Sequence, residues 1–205
     1  MKKKEIKLLP IVEDFYSLQG EGFHTGKAAY FIRIGGCDIA CSFCDTKFSW
    51  NADLHKKIKI DNLLEKVKKK SVAKSIVVTG GEPLKYNLDY FCEKFKENNF
   101  KIFLETSGSY KLSGKWDWIC LSPKKKSPPK KEIFSKTNEL KVIIENLDDL
   151  LWAEENAKKV NKNCKLFLQS EWSKKDFLTN SIVEYIKKNP KWAISIQTHK
   201  YLNIP

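Results

Sequence analysis

The chain has 205 residues, the length of one domain, and its 41% hydrophobic and 12% aromatic content is enough for a core, which excludes a chain kept unfolded by low hydrophobicity. No run approaches the ~18 uninterrupted apolar residues of a membrane helix, and Met1 with Lys2, Lys3 and Lys4 leads into a mixed segment without a signal-like stretch, so neither export nor membrane spanning is expected. The 38 basic residues outnumber the 25 acidic ones for a net charge of +13, but they are dispersed, with local runs only at 66–70 and 124–131, which reads as a solvated surface more than a nucleic-acid footprint.

In chain order, the first clear β-branched and aromatic run is 28–34, followed by a cysteine-bearing loop at 37–44 and a helical spacing of Ile60, Leu63, Leu64 and Val67. A strand at 75–79 precedes a helix marked by Leu88, Phe91, Cys92 and Phe95, and strands follow at 101–105 and 116–121. Lys-Ser-Pro-Pro-Lys-Lys at 126–131 reads as a charged loop and not as a domain boundary. A strand at 140–144, a helix through Leu147, Leu150, Leu151 and Ala153, a strand at 165–169, a helix through Phe177, Ile182, Val183 and Ile186, and a strand at 193–197 complete the series. Strand then helix, repeated, indicates an α/β fold with a parallel sheet. Six or seven strands fall short of a closed eight-unit barrel, so the expectation is a partial, TIM-like parallel β/α barrel of about six strands with few full-length helices, in a single domain spanning 1–205.

The carboxyl ends of these runs carry polar motifs: Thr79-Gly80-Gly81-Glu82-Pro83, Glu105-Thr106-Ser107-Gly108, Ser122-Pro123-Lys124, Gln169-Ser170-Glu171 and Gln197-Thr198-His199-Lys200. In a parallel sheet they share one edge, where such folds place ligands. Glycines at 80 and 81 permit close backbone approach at a strand end, where a side chain would obstruct a ligand.

Cys37, Cys41 and Cys44 form C-x-x-x-C-x-x-C directly after the first clear strand, while Cys92, Cys120 and Cys164 lie in apolar stretches. Disulfides suit this compact loop poorly. A closed zinc site would need a fourth ligand from distant residues, with His24, His55 and His199 the only histidines. Three thiolates can instead hold three corners of an iron-sulfur cubane, leaving one iron open. The basic residues add one geometric oddity, because Arg33 is the only arginine among them. Its planar fork can pair bidentately with a carboxylate, which a lysine cannot do.

With Phe43 between the last two cysteines and Gly80-Gly81-Glu82-Pro83 after the next strand, the chain resembles the radical S-adenosylmethionine (SAM) superfamily. Phe15-Tyr16-Ser17-Leu18-Gln19-Gly20-Glu21-Gly22, Cys44-Asp45-Thr46, Glu105-Thr106-Ser107-Gly108 and Gln197-Thr198-His199-Lys200 with Pro205 extend the likeness to the 7-carboxy-7-deazaguanine synthase family, over residues 15–205.

That resemblance implies a [4Fe-4S] cluster on Cys37, Cys41 and Cys44, with SAM chelating the open iron and yielding a 5'-deoxyadenosyl radical. It places Phe43, Cys44, Asp45, Gly81, Ser122, Pro123, Lys124, Gln169, Ser170, Glu171 and Trp172 around the cofactor, although this chain lacks a proline expected after Gln169. It implies Mg2+ on the Thr46 hydroxyl, a carboxypterin substrate met by Leu18, Gln19, Gly20, Glu21, Arg33, Thr79, Glu105, His199 and Pro205, and a pocket closed by 197–205. The reaction so implied is radical ring contraction with loss of ammonia, in the making of 7-deazapurines such as queuosine. A cytoplasmic homodimer reduced by flavodoxin or ferredoxin is implied as well, with no nucleic-acid or membrane partner. Two rival readings are another small radical enzyme, such as a glycyl-radical activase, and an iron-sulfur or zinc module that binds nucleic acid.

Overall fold

A computed structural model describes residues 7–205; the reading made on Met1 to Lys4 lies outside the described residues. Among the described residues nine strands form one sheet: β1 (Leu8–Leu18), β2 (Ala28–Ile34), β3 (Lys57–Lys59), β4 (Ser75–Gly80), β5 (Lys101–Thr106), β6 (Trp118–Leu121), β7 (Glu139–Ile144), β8 (Lys165–Ser170) and β9 (Trp192–Ile194). Their order is β3-β1-β2-β4-β5-β6-β7-β8-β9, so the sheet has two ends and the barrel is open. From β2 through β9 every neighbour pair is parallel, whereas β1 runs antiparallel to both β2 and β3.

The partial parallel barrel is therefore as expected, but its parallel part has seven strands and two antiparallel strands extend one end. β1 escapes the sequence pattern because Pro10, Glu13 and Asp14 interrupt its apolar residues. β3 has only three residues, too few to show a period. The strand expected at 116–121 begins at Trp118, and the one expected at 193–197 ends at Ile194, after which Ser195 still donates its backbone N–H to Leu168 (2.8 Å).

The described residues also form six helices, five between strands and one after the last: α1 (Ile60–Lys70), α2 (Asp89–Glu97), α3 (Lys131–Phe134), α4 (Asp149–Ala157), α5 (Lys175–Lys188) and α6 (Thr198–Leu202). None is long and apolar enough to cross a membrane among the described residues. In α1 the Ile60, Leu63, Leu64 and Val67 stripe is buried, Asp61 occupies the first turn, and Lys68, Lys69 and Lys70 occupy the last, each charge complementing the helix dipole. The stripe packs on the outer face of the sheet against Tyr30, Ile32, Ile76, Val78 and Ile102, each fully buried aliphatic side chain contributing roughly 2 kcal/mol of apolar transfer. A second outer cluster joins Leu104, Leu140, Val142 and Leu168 to Leu178 and Ile182.

Two helical stripes differ from expectation. Leu147 precedes α4, and both Leu147 and Leu151 are exposed, while the helix turns Ala153 inward. In α5 Phe177 is 85% exposed, and the core face runs through Leu178, Ile182, Tyr185 and Ile186, the neighbouring set at helical spacing.

Because side chains alternate along a strand, the residues between these outer positions point into the barrel. Ala29, Phe31 and Val77 form a small apolar layer there with Phe15 and Phe103. His24 stacks on Phe103 (4.7 Å between ring centroids) and Phe23 on Trp118 (4.9 Å), adding an aromatic layer.

Candidate active site

A cavity of about 570 Å³ opens at the carboxyl edge of the parallel strands. It is lined by every residue expected at the site except Pro123, which is buried beside Ser122 and Lys124 without facing the cavity. The expected edge is thus one continuous surface.

The cysteine loop leaves β2 through Gly35 and Gly36, the latter at φ 107°, a backbone region that favours glycine. Gly36 N–H donates to Ser49 O (2.7 Å), Cys37 N–H to Trp50 O (3.0 Å) and Cys44 N–H to Cys41 O (3.2 Å). Asp38 is held by the Tyr110 hydroxyl and by Lys85 (3.4 Å), and Lys126 donates to Ala40 O (3.3 Å), where Ala40 itself sits at φ 50°. Trp50 Nε1 donates to Cys44 Sγ (3.4 Å), and the Thr46 hydroxyl lies 3.6 Å from the same sulfur.

All three cysteines are free, partly exposed and on the cavity wall. Burial raises the Cys37 and Cys41 thiols above their ordinary range, so metal binding there releases protons. Among the described residues no three His, Cys, Asp or Glu side chains gather around a point that would hold a single ion. His55 faces Phe48 O (2.9 Å) and His24 is in the aromatic stack, so a closed zinc site gains no histidine from either. Three thiol donors spread along a braced loop, with an open cavity on one side, fit a cubane with one exposed corner.

The glycines at the end of β4 answer a need besides the one expected. A Cβ on Gly80 would stand 2.2 Å from Ile34 O, and one on Gly81 would stand 2.4 Å from Gly36 O. The close approach is chain to chain, sealed by Gly81 N–H to Ile34 O (3.0 Å) and Glu82 N–H to Gly36 O (2.9 Å). Glu82 is 1% exposed, and its carboxylate accepts from Leu84 N–H (3.0 Å), Thr106 Oγ1 (2.5 Å), Ser107 N–H (2.8 Å) and Ser107 Oγ (2.5 Å). The Gly-Gly-Glu-Pro and Glu-Thr-Ser-Gly motifs are therefore two halves of one joint.

Inside the barrel lies a polar layer that sequence reasoning missed in part. Lys141, on β7, is 5% exposed and donates to Glu21 Oε2 (2.5 Å) and Glu105 Oε2 (3.0 Å). Glu21 Oε1 also accepts from Gln197 Nε2 (2.8 Å) and Gln169 Nε2 (3.2 Å), and Gln19 Nε2 reaches Glu105 Oε1 at 3.4 Å. Burial pushes the Glu21 carboxyl up, but Lys141 and the amide donors outweigh it and hold the group down to about 2. Burial likewise opposes the charge on Lys141, yet Glu105 and Glu21 keep it well above the usual lysine range.

Cys120 was expected in apolar surroundings. It is buried on β6 but lies close enough to Glu105, Glu139 and Lys141 to feel their charges. Glu139, 3% exposed, accepts from Trp118 Nε1 (3.0 Å), and burial followed by the Glu105 charge pushes its carboxyl up to about 7. An unfolded chain binds fewer protons there than the folded one between the ordinary glutamate range and pH 7, so stability from this group falls as pH rises. Glu139→Gln is expected to match wild type near pH 4 and to exceed it at pH 8.5 by up to about 3 kcal/mol, read from urea unfolding at the two pH values. An unchanged difference between them would refute the raised carboxyl.

The last segment closes one side. Thr198 donates through both N–H and Oγ1 to Gly20 O (2.9 Å each), and a Cβ on Gly20 would meet His199 Nδ1 at 2.1 Å. Burial lowers the His199 imidazole below its ordinary range, against the pull of Glu21 and Asp45. Lys200 (3.1 Å) and Gln197 (3.4 Å) reach Asp45, tying this segment to the cysteine loop. Across the cavity, Lys124 donates to Ser122 O (2.9 Å) and Oγ (2.6 Å) and lies over the Phe43 ring, with its ammonium lowered by burial. Arg33 gives its Nε to Glu13 (2.7 Å), its cross-strand partner on β1.

Comparison with known proteins gives a consistent outcome. The model of the Radical SAM superfamily matches residues 31–151. A 7-carboxy-7-deazaguanine synthase of Flavobacterium psychrophilum is 56% identical over 199 residues, covering 97% of this chain and 94% of that protein. The 7-carboxy-7-deazaguanine synthases of a Synechocystis species and of Escherichia coli K12 are 43% and 32% identical, covering 95% of this chain and 93% and 98% of their own lengths. The crystal structure of QueE from Escherichia coli superposes with a TM-score of 0.84 at 28% identity, covering 94% of this chain and 95% of that one.

Proposed function

Because the chain belongs to the radical SAM superfamily and, within it, to the 7-carboxy-7-deazaguanine synthase family, we propose that it converts 6-carboxy-5,6,7,8-tetrahydropterin to 7-carboxy-7-deazaguanine with loss of ammonia. The observation that carries this reading is the shared cavity, where the cysteine loop faces Arg33, Thr79, Glu105 and His199. When bound, the [4Fe-4S] cluster and SAM supply a 5'-deoxyadenosyl radical, which does the hydrogen abstraction. Cys37, Cys41 and Cys44 would hold the cluster; Phe43, Asp45, Gly81, Ser122, Lys124 and the 169–172 segment would hold SAM, with Pro123 fixing the turn behind them.

The chain's own contribution is placement. Glu13 takes the Nε of Arg33 and leaves the two terminal nitrogens of the fork for a substrate carboxylate. Leu18, Gln19, Gly20 and Thr79 line the wall beside it, Glu105 offers acceptor oxygens to ring N–H groups, and His199 with Pro205 covers the mouth. Thr46, beside Cys44, would give its hydroxyl to Mg2+ in a shell otherwise of water and substrate oxygens. Residues 1–205 act as one radical SAM domain in this reading. It is a cytoplasmic homodimer serving 7-deazapurine formation such as queuosine, and takes its electron from flavodoxin or ferredoxin.

Anaerobic reconstitution with iron and sulfide, then incubation with the carboxypterin, SAM, dithionite and Mg2+, is expected to yield the deazaguanine. An intact, reduced cluster that forms none would overturn the assignment. Arg33→Lys is expected to keep its iron content and raise KM for the carboxypterin about tenfold or more, because one ammonium cannot serve Glu13 and a bidentate carboxylate together. An unaltered KM would remove Arg33 from substrate binding.

A further inference from the structure

Lys141 had no place among the expected site residues, yet it is the most enclosed cation on the cavity wall. It lies on β7, in the middle of the parallel strands, with Glu139 two residues before it and Ile143 two after, all on the inward face. Its ammonium reaches Glu21 and Glu105 at once (2.5 and 3.0 Å). The two carboxylates differ in what they have left to give. Glu21 accepts from Lys141, Gln169 and Gln197 and is almost saturated. Glu105 accepts from Lys141, from the Cys120 thiol, a weak donor, and, at the long distance of 3.4 Å, from Gln19, so its oxygens keep acceptor capacity toward the cavity.

The charges facing this pair come from every side. Glu139 and Cys120 lie near Lys141 and Glu105, Lys124 is close enough to Lys141 for the two ammoniums to feel each other, and His199 from α6 lies near Glu21. With three carboxyls around one ammonium, removing the ammonium leaves them crowded in a desolvated layer with nothing to hold Glu105 in place.

Resting on the reading given under Proposed function, we propose that Lys141 is a positioning residue for ring recognition: its ammonium holds Glu105 with an acceptor oxygen aimed at an N–H edge of the bound pterin, and Glu21 is its counter-ion and not a ring ligand. Specificity follows. A ring presenting adjacent N–H donors is held by Glu105, whereas an analogue with acceptors at that edge meets a fixed negative charge.

The test uses the reconstituted, SAM-loaded enzyme and equilibrium binding of the carboxypterin at one fixed pH, alongside KM and kcat. Lys141→Met is expected to bind about 30-fold more weakly, with the loss appearing in KM and not in kcat and with cluster content retained. Lys141→Arg, which keeps a charged donor between the two carboxylates, should recover most of the lost affinity. Lys141→Met binding that equals wild type, or Lys141→Arg binding as weak as that of Lys141→Met in a folded, cluster-loaded enzyme, would overturn the proposal. Wild type that fails to bind the carboxypterin would overturn the function reading together with it, and the control shows which has failed. Should Lys141→Met not fold, Lys141→Gln is measured in its place and should lose about tenfold or more in affinity; wild-type binding by it would refute the role given to Lys141.

Discussion

Glu82→Gln is expected to lower folding stability by about 2–4 kcal/mol, although the side chain keeps its shape and volume. Each carboxylate oxygen of Glu82 accepts one backbone N–H, Leu84 on Oε1 and Ser107 on Oε2, besides a hydroxyl. The hydroxyls of Thr106 and Ser107 can rotate to accept instead. The backbone N–H groups cannot, so whichever way the new amide turns, its NH2 confronts a donor inside a group 1% exposed. Because this joint ties the end of β4 to the end of β5 behind the cysteine loop, cluster retention should fall with stability. Chemical denaturation followed by tryptophan fluorescence measures the first, and iron per chain after anaerobic reconstitution the second. A variant with wild-type midpoint and wild-type iron would show that the four bonds contribute nothing net.

Gly80→Ala should be as severe for a steric reason. The added methyl meets Ile34 O at 2.2 Å, an atom of a paired strand that no rotamer change can withdraw. Forcing β4 away from β2 is expected to cost about 3 kcal/mol or more, and to displace Gly36 and with it Cys37. The measurable outcome is low iron and sulfide content in a chain that still shows parallel-sheet circular dichroism. Full cluster loading would mean that the two strand ends can separate freely.

These two positions also mark how far the sequence could be read. Most parallel strands were legible because they are short, β-branched and buried on both faces, as in 140–144. β1 was not, since a strand near the open end alternates with charge: Arg33 pairs with Glu13, and Tyr30 with Asp14, across the β1–β2 ladder. Helix faces were ambiguous wherever apolar residues exceeded one stripe, as with Phe177 against Leu178. The edge motifs carried a large share of the cavity lining, because a parallel sheet sends its strand ends to one place. Lys141 and Glu139 were overlooked because Glu-x-Lys beside an apolar run looks like a solvated face. The available signal was their position: charges at alternate residues of a strand flanked on both sides by parallel neighbours point into the barrel.

The bonds that join Gln197 and Thr198 to Glu21 and Gly20 span 176 and 178 residues. A chain emerging from the ribosome shows its cysteines at 37–44 to the solvent long before the partners of Glu21 have been translated. Loop closure over such separations is slow compared with local pairing. The bracing of the cysteine loop by Ser49, Trp50 and Glu82 is short-range by comparison, so the loop can take its shape while the chamber still waits for the end of the chain.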